Sequence, residues 1–170
     1  MLLFIDGSAT PASKIGFGSY LLIPENEVDD VTETSIMQKI RSRKFSPTTS
    51  TKLEVQTLLW ALGETEEVLT DKIHSELITI FSDSQTLVGL QKRRAILESR
   101  NFKSRKDGQD LKHADLYKSI YDILDRLNCR FIKLSGHSKV KEKTRIERIF
   151  SQIDRASRRA LREYVKLNKT

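Results

Sequence analysis

Sulfur chemistry is nearly absent from this chain. Cys129 is the single cysteine among 170 residues. No internal disulfide can form, and a reducing, cytoplasmic compartment is expected. Proline and glycine are also scarce, at 3 and 7. They punctuate the apolar runs and do not gather into a linker, a repeat or a low-complexity tract. No apolar run approaches the ~20 residues of a membrane span. The first residues, Met-Leu-Leu-Phe-Ile-Asp, lack a basic segment and meet an acid at Asp6, so a signal peptide is not expected.

What is present in quantity is charge. Charged residues make up 31% of the chain and hydrophobic residues 38%, with a net charge of +7. The length suits one globular domain, residues 1–170, with its own core. A pI near 9.5 points to a polyanionic partner, nucleic acid before membrane. A merely basic surface is the plain alternative.

The chain is read as strands first and then alternation. Residues 2–5 form a short apolar run, a buried strand broken by Asp6-Gly7-Ser8. Gly16 to Ile23 reads as a second strand. Thr34 to Phe45 reads as a third, edge-like strand alternating around Ile36 and Ile40. A helix opens at Thr51 through Val55, Leu58, Leu59 and Leu62. Leu77 to Ser82 is a fourth strand, and Ser84 to Gln91 begins another helix. A basic stretch runs from Lys92 to Lys112. His113 to Leu127 is helical, Arg130 to Leu134 a fifth strand, and Arg145 to about Val165 a long amphipathic helix. The order β-β-β-α-β-α-α-β-α argues a mixed sheet with helices on its faces, an α/β class.

Four acids stand out in this frame. Asp6 and Asp83 end the first and fourth strands, Glu54 lies in the first turn of its helix, and Asp154 lies in the last helix. Carboxylates gathered this way suit hard divalent cations. Each also has an ordinary explanation. Asp6 precedes Gly7 and could start a turn. Glu54 sits three after Thr51, at capping-box spacing. Asp83 could cap the next helix. Asp154 could be a solvated helix acid.

The quoted motifs resemble a known family. Leu-Phe-Ile-Asp-Gly-Ser near the start, Leu53-Glu54, Ser82-Asp83-Ser84-Gln85, Gly136-His137, and Asp154-Arg155-Ala156-Ser157-Arg158 are similar to ribonuclease H of type 1. The resemblance runs over nearly the whole chain and includes the element order. It implies a five-stranded mixed sheet of order 3-2-1-4-5. It implies two Mg2+ ions, with Mn2+ as a substitute, on Asp6, Glu54, Asp83 and Asp154, and hydrolysis of RNA in an RNA–DNA hybrid by a monomer. His137 matches the family's metal-proximal histidine. The basic protrusion that grips the DNA strand matches Lys92, Arg93, Arg94, Lys103, Arg105 and Lys106. Hybrid contacts fall on Gly7, Ser8, Ser50, Thr51, Ser84 and Gln85.

Two departures stand out. Ser50 and Thr51 replace a pair of asparagines found in the best-known bacterial members. The 17 positions from His137 to Asp154 exceed the spacing of well-known members. The added stretch makes Glu147 a rival fourth ligand. Other activities compatible with these motifs are a junction resolvase or integrase-type nuclease, and a non-catalytic hybrid-binding module.

Overall fold

A computed structural model describes residues 1–70, 75–135 and 143–168. Five strands form one sheet: β1 (Leu2–Thr10), β2 (Ile15–Ile23), β3 (Arg41–Phe45), β4 (Leu77–Ser82) and β5 (Asn128–Lys133). Their order is β3-β2-β1-β4-β5. β1, β2 and β3 form an antiparallel meander, while β4 pairs parallel to both β1 and β5. The helices are α1 (Glu33–Lys39), α2 (Ser50–Leu69), α3 (Gln85–Val88), α4 (Leu90–Ser99), α5 (Ala114–Leu124) and α6 (Arg145–Leu167). The sheet order is the expected one. Among the described residues, no helix is long and apolar enough to cross a membrane.

The unbroken apolar run of β1 follows from burial on both faces. Leu3 and Ile5 join Ile78, Ile80, Leu58 and Leu62 in the core under α2 and α5. Leu2 and Phe4 point the other way and join Leu21, Phe81, Ile36, Ile149 and Ile153 under α1 and α6. Burying an Ile or Phe side chain contributes about 1.5–3 kcal/mol. The stripe Ile149, Phe150, Ile153 and Leu161 therefore fixes α6 against the sheet.

Three expectations need correction. Asp6 does not end β1, which continues to Thr10 paired with β2. The Asp-Gly turn signal loses because Gly7 serves packing: a Cβ there would lie 2.9 Å from Leu53 Cδ2. Residues 33–39 are helical rather than part of a strand. Thr32 caps them by accepting from Ser35 N, and Ile36 and Ile40 stand at i, i+4 spacing, which suits a helix as well as loose alternation. Only residues 41–45 form the edge strand. Finally, α2 begins at Ser50 with Thr49 as its cap. Thr51 is inside the helix, so Glu54 belongs to no capping box.

Candidate active site

Strand register places the first two acids. Phe4 and Phe81 are partners in the parallel β1–β4 pairing, and their rings stack with centroids 4.9 Å apart. Alternation puts Asp6 and Asp83, two residues further along, on the same face as these rings. That face is the one α6 covers. The β1–β4 pairing stops at Phe4 and Phe81, so both carboxylates sit where the two strands part. The strand-end reading of Asp6 thus holds for this pairing, though not for the strand itself.

The other two acids arrive from helices. Glu54 lies in the first turns of α2, and Ser84 Oγ donates a 2.6 Å hydrogen bond to its Oε2. Asp154 comes from α6. Ser157, one turn later and fully buried, donates from Oγ to Asp6 Oδ2 at 2.6 Å. All four carboxylates line one cavity of about 380 Å³, together with Gly7, Ser8, Ser84 and Arg158.

The cavity is short of positive charge. Burial raises the Asp6 pKa to about 7; Ser157 works against that rise, and Asp154 and Asp83 add to it. Burial also raises Glu54, opposed by Ser84 and reinforced by Asp83. Crowded carboxylates of this kind are stabilised by a cation. The donor set is also the hard-oxygen set that Mg2+ takes. Among the described residues, no three or more His, Cys, Asp or Glu side chains stand ready to hold a metal ion. Each of three carboxylates is instead engaged within the protein: Asp6 by Ser157, Glu54 by Ser84, and Asp154 by Arg158 at 2.7 Å. In donor chemistry, shared cavity and charge, the residues fit a divalent cation, and these three internal partners occupy the donors.

The ordinary explanations of Asp6, Glu54 and Asp83 do not survive, while Asp154 keeps its own, a partly exposed helix acid paired with Arg158 one turn on. Ser84, not Asp83, caps α3 by accepting from Leu87 N. Glu147 is the residue with the capping role. Its carboxylate accepts from Thr144 N while Thr144 Oγ1 accepts from Glu147 N. Glu147 lines an adjoining recess with Lys143, Ser151 and Asp154, outside the cavity shared by the other four acids.

Of the expected nucleic-acid contacts, Gly7 and Ser8 line the cavity. Ser84 is buried and its hydroxyl is committed to Glu54, so it does not offer an exposed contact. Gln85 accepts from Lys133 Nζ at 2.8 Å. Ser50 and Thr51 are exposed on the first turn of α2.

The basic stretch divides in two. Lys92 is exposed, but Arg93 donates to the Thr86 and Gly89 carbonyls. Arg94 forks onto Asp125 and pairs with Glu98. These two arginines hold α4 in place and are not free cations. Lys103, Arg105 and Lys106 are exposed on a small hairpin closed by Ser104 N to Gln109 O and Leu111 N to Phe102 O. His137 lies outside the described residues.

Sequence reasoning missed Ser157 and Arg158 as site residues, although both stand in the quoted Asp154–Arg158 motif. The signal for Ser157 is a hydroxyl on the apolar stripe between Ile153 and Leu161. It also missed a groove of about 670 Å³ beside the α2 N-terminus, lined by Lys14, Thr49, Lys52, Lys112, His113 and Lys118 among others.

The RNase H family model matches residues 1–154, from the start of β1 to the acid on α6. The chain belongs to the RNase H family. No curated protein matches the sequence. Among solved structures, this RNase H chain is similar to the foamy viral protease-reverse transcriptase in complex with an RNA/DNA hybrid. The TM-score is 0.61 and the identity 17%. The match covers 80% of this chain and 17% of that one. It therefore spans a small part of the viral protein, and at this identity it is a likeness of fold.

Proposed function

We propose that this protein hydrolyses the RNA strand of RNA–DNA hybrids, with two divalent cations, Mg2+ or Mn2+, held by Asp6, Glu54, Asp83 and Asp154. The observation that carries the reading is the meeting of four carboxylates, from two strands and two helices, at one cavity. Membership of the RNase H family supports the nuclease activity.

Bound there, the cations would supply the Lewis-acid charge that phosphodiester hydrolysis needs at neutral pH. The chain's own residues do the rest. Asp6 and Asp83 are set by strand register and Asp154 by the packing of α6, so the carboxylates keep their positions when substrate arrives. Ser157 and Ser84 orient Asp6 and Glu54. Arg158, which pairs with Asp154 at the cavity wall, would be placed to meet a substrate phosphate. His137 is assigned proton transfer or product release on the strength of the family motif alone.

Binding is assigned to exposed cations. Lys103, Arg105 and Lys106 on the hairpin, and Lys14, Lys112 and Lys118 around the groove, would meet phosphates of the DNA strand. Gly7 and Ser8 at the cavity, with Ser50 and Thr51 on α2, would lie nearest the sugar edges by which RNA and DNA are told apart.

The test is a panel of matched RNA–DNA hybrid, double-stranded RNA, double-stranded DNA and a four-way junction, each with Mg2+, Mn2+ or EDTA. Cleavage confined to the RNA strand of the hybrid and abolished by EDTA is the expected result. Junction cleavage would favour a resolvase. Hybrid binding without cleavage would favour a binding module.

A further inference from the structure

Helix α1, absent from the sequence-based reading, creates a second surface beside the cavity. Ile36 of α1 packs with Ile149 and Ile153 of α6, and Arg145 at the start of α6 donates to the Val28 and Val31 carbonyls just before α1. The two helices thus enclose a groove of about 840 Å³, floored in part by Ser42 of β3. The groove is continuous with the acid cavity, because Asp154 and Arg158 line both.

The charge of this groove is uneven. Arg155, Arg158, Arg159 and Arg162 line it from α6. Arg158 pairs with Asp154 and Arg159 with Glu163. Glu33 on the α1 wall accepts from Gln152. Arg155 and Arg162 are exposed and, among the described residues, have no ion pair. They stand seven positions apart, two turns along one face. At a rise of 1.5 Å per residue they are about 10 Å apart along the helix.

Resting on the proposed activity, we propose that this groove holds the single-stranded continuation of the RNA strand beyond the hybrid segment at the cavity. Size decides for a single strand: a groove of about 840 Å³, walled on one side by the seven-residue α1, has room for a few nucleotides and not for a duplex. Continuity decides for the strand being cut, since the groove leads away from the carboxylates. Charge decides for a polyanion. Unpaired arginines beside a backbone path are the usual means of holding a single strand without reading its sequence.

The test uses the whole protein with Asp83→Asn, which keeps substrate uncut, and measures binding by fluorescence anisotropy. The probes are a blunt hybrid, the same hybrid with a 5′ or 3′ RNA extension, and the same with DNA extensions. An RNA extension on one side should tighten binding about three- to tenfold, the effect of two exposed ion contacts. Adding Arg155→Ala and Arg162→Ala should remove that gain, leave blunt-hybrid affinity unchanged, and lower the salt slope for the extended probe by about 1.4. Equal affinity for blunt and extended hybrids overturns the inference, as does an equal gain from DNA extensions or a gain that survives the double substitution. If the wild-type protein cleaves blunt hybrid normally in any of these cases, the activity stands and only the groove assignment falls. Absence of hybrid cleavage by the wild type overturns both.

Discussion

Ser157, buried on α6, donates a 2.6 Å hydrogen bond to Asp6 on β1. This bond joins two residues 151 positions apart. It sets the axial register of α6 at the cavity, and with it the position of Asp154 one turn earlier. Ser157→Ala should cost about 1–3 kcal/mol, the cost of breaking a buried hydrogen bond. Ser157 also holds the Asp6 pKa down, so the substitution should push that pKa further up. The expected result is a lower Tm and, in EDTA, an Asp6 carboxyl titration displaced to higher pH. An unmoved titration would mean that the bond is structural only.

Asp6 links the site to stability. Its pKa in the folded, metal-free protein is raised from 3.8 to about 7. Between those values the folded state keeps a proton that the unfolded state has released. Stability therefore falls as pH rises through this window and levels off above it. Asp6→Asn carries no proton to lose. In EDTA it should be more stable than the wild type at about pH 8, by on the order of 2 kcal/mol once solvent access to the cavity is allowed for. The gap should shrink at about pH 5. Thermal unfolding at the two pH values checks this, and an equal gap at both would refute it.

Most of the fold is legible in the sequence because its strongest elements are periodic. β4 has the predicted bounds, Leu77–Ser82, and the apolar face of α6 is as read. What escapes is local competition. Ile36 and Ile40 fit either period, and the Thr32 cap decides for the helix. Asp6-Gly7 looks like a turn, but its glycine makes room for Leu53, as Gly18 does for Thr57. The four acids are readable one by one. Their meeting is not, because it depends on the Phe4–Phe81 register and on Ser157. The basic stretch reads as uniform charge, while Arg93 and Arg94 are spent on the fold itself.

That division changes what substitutions should do. Lys103→Ala, Arg105→Ala and Lys106→Ala together should weaken hybrid binding without lowering Tm. The slope of log affinity against log salt should drop by roughly 2–3. Arg94→Ala should instead lower Tm, since it loses a forked contact with Asp125 and its place over the Tyr121 ring. Anisotropy across a salt series, with unfolding curves, separates the two effects. A salt slope unchanged in the triple variant would reduce the hairpin to a solvated surface.

Glu147 and Asp154 also differ in expected consequence. Glu147 holds the α6 N-terminus in a capping box with Thr144, a role that glutamine can also fill. Glu147→Gln should keep single-turnover hybrid cleavage near the wild-type rate. Asp154→Asn should lower it by orders of magnitude with little loss of Tm. A dead Glu147→Gln beside an active Asp154→Asn would reassign the fourth carboxylate.

The central claim is that the cavity carboxylates hold the cations that cut RNA. Its most direct test is single-turnover cleavage of a hybrid labelled in the RNA strand, by the wild type and Asp83→Asn, across a Mg2+ titration that begins in EDTA. Asp83 follows the last residue of β4 and leaves α3 to be capped by Ser84, so the variant should fold normally. The account predicts no cleavage in EDTA, saturable activation of the wild type by Mg2+, and no activation of Asp83→Asn. Cleavage by the wild type in EDTA, or full activity of Asp83→Asn, would contradict it.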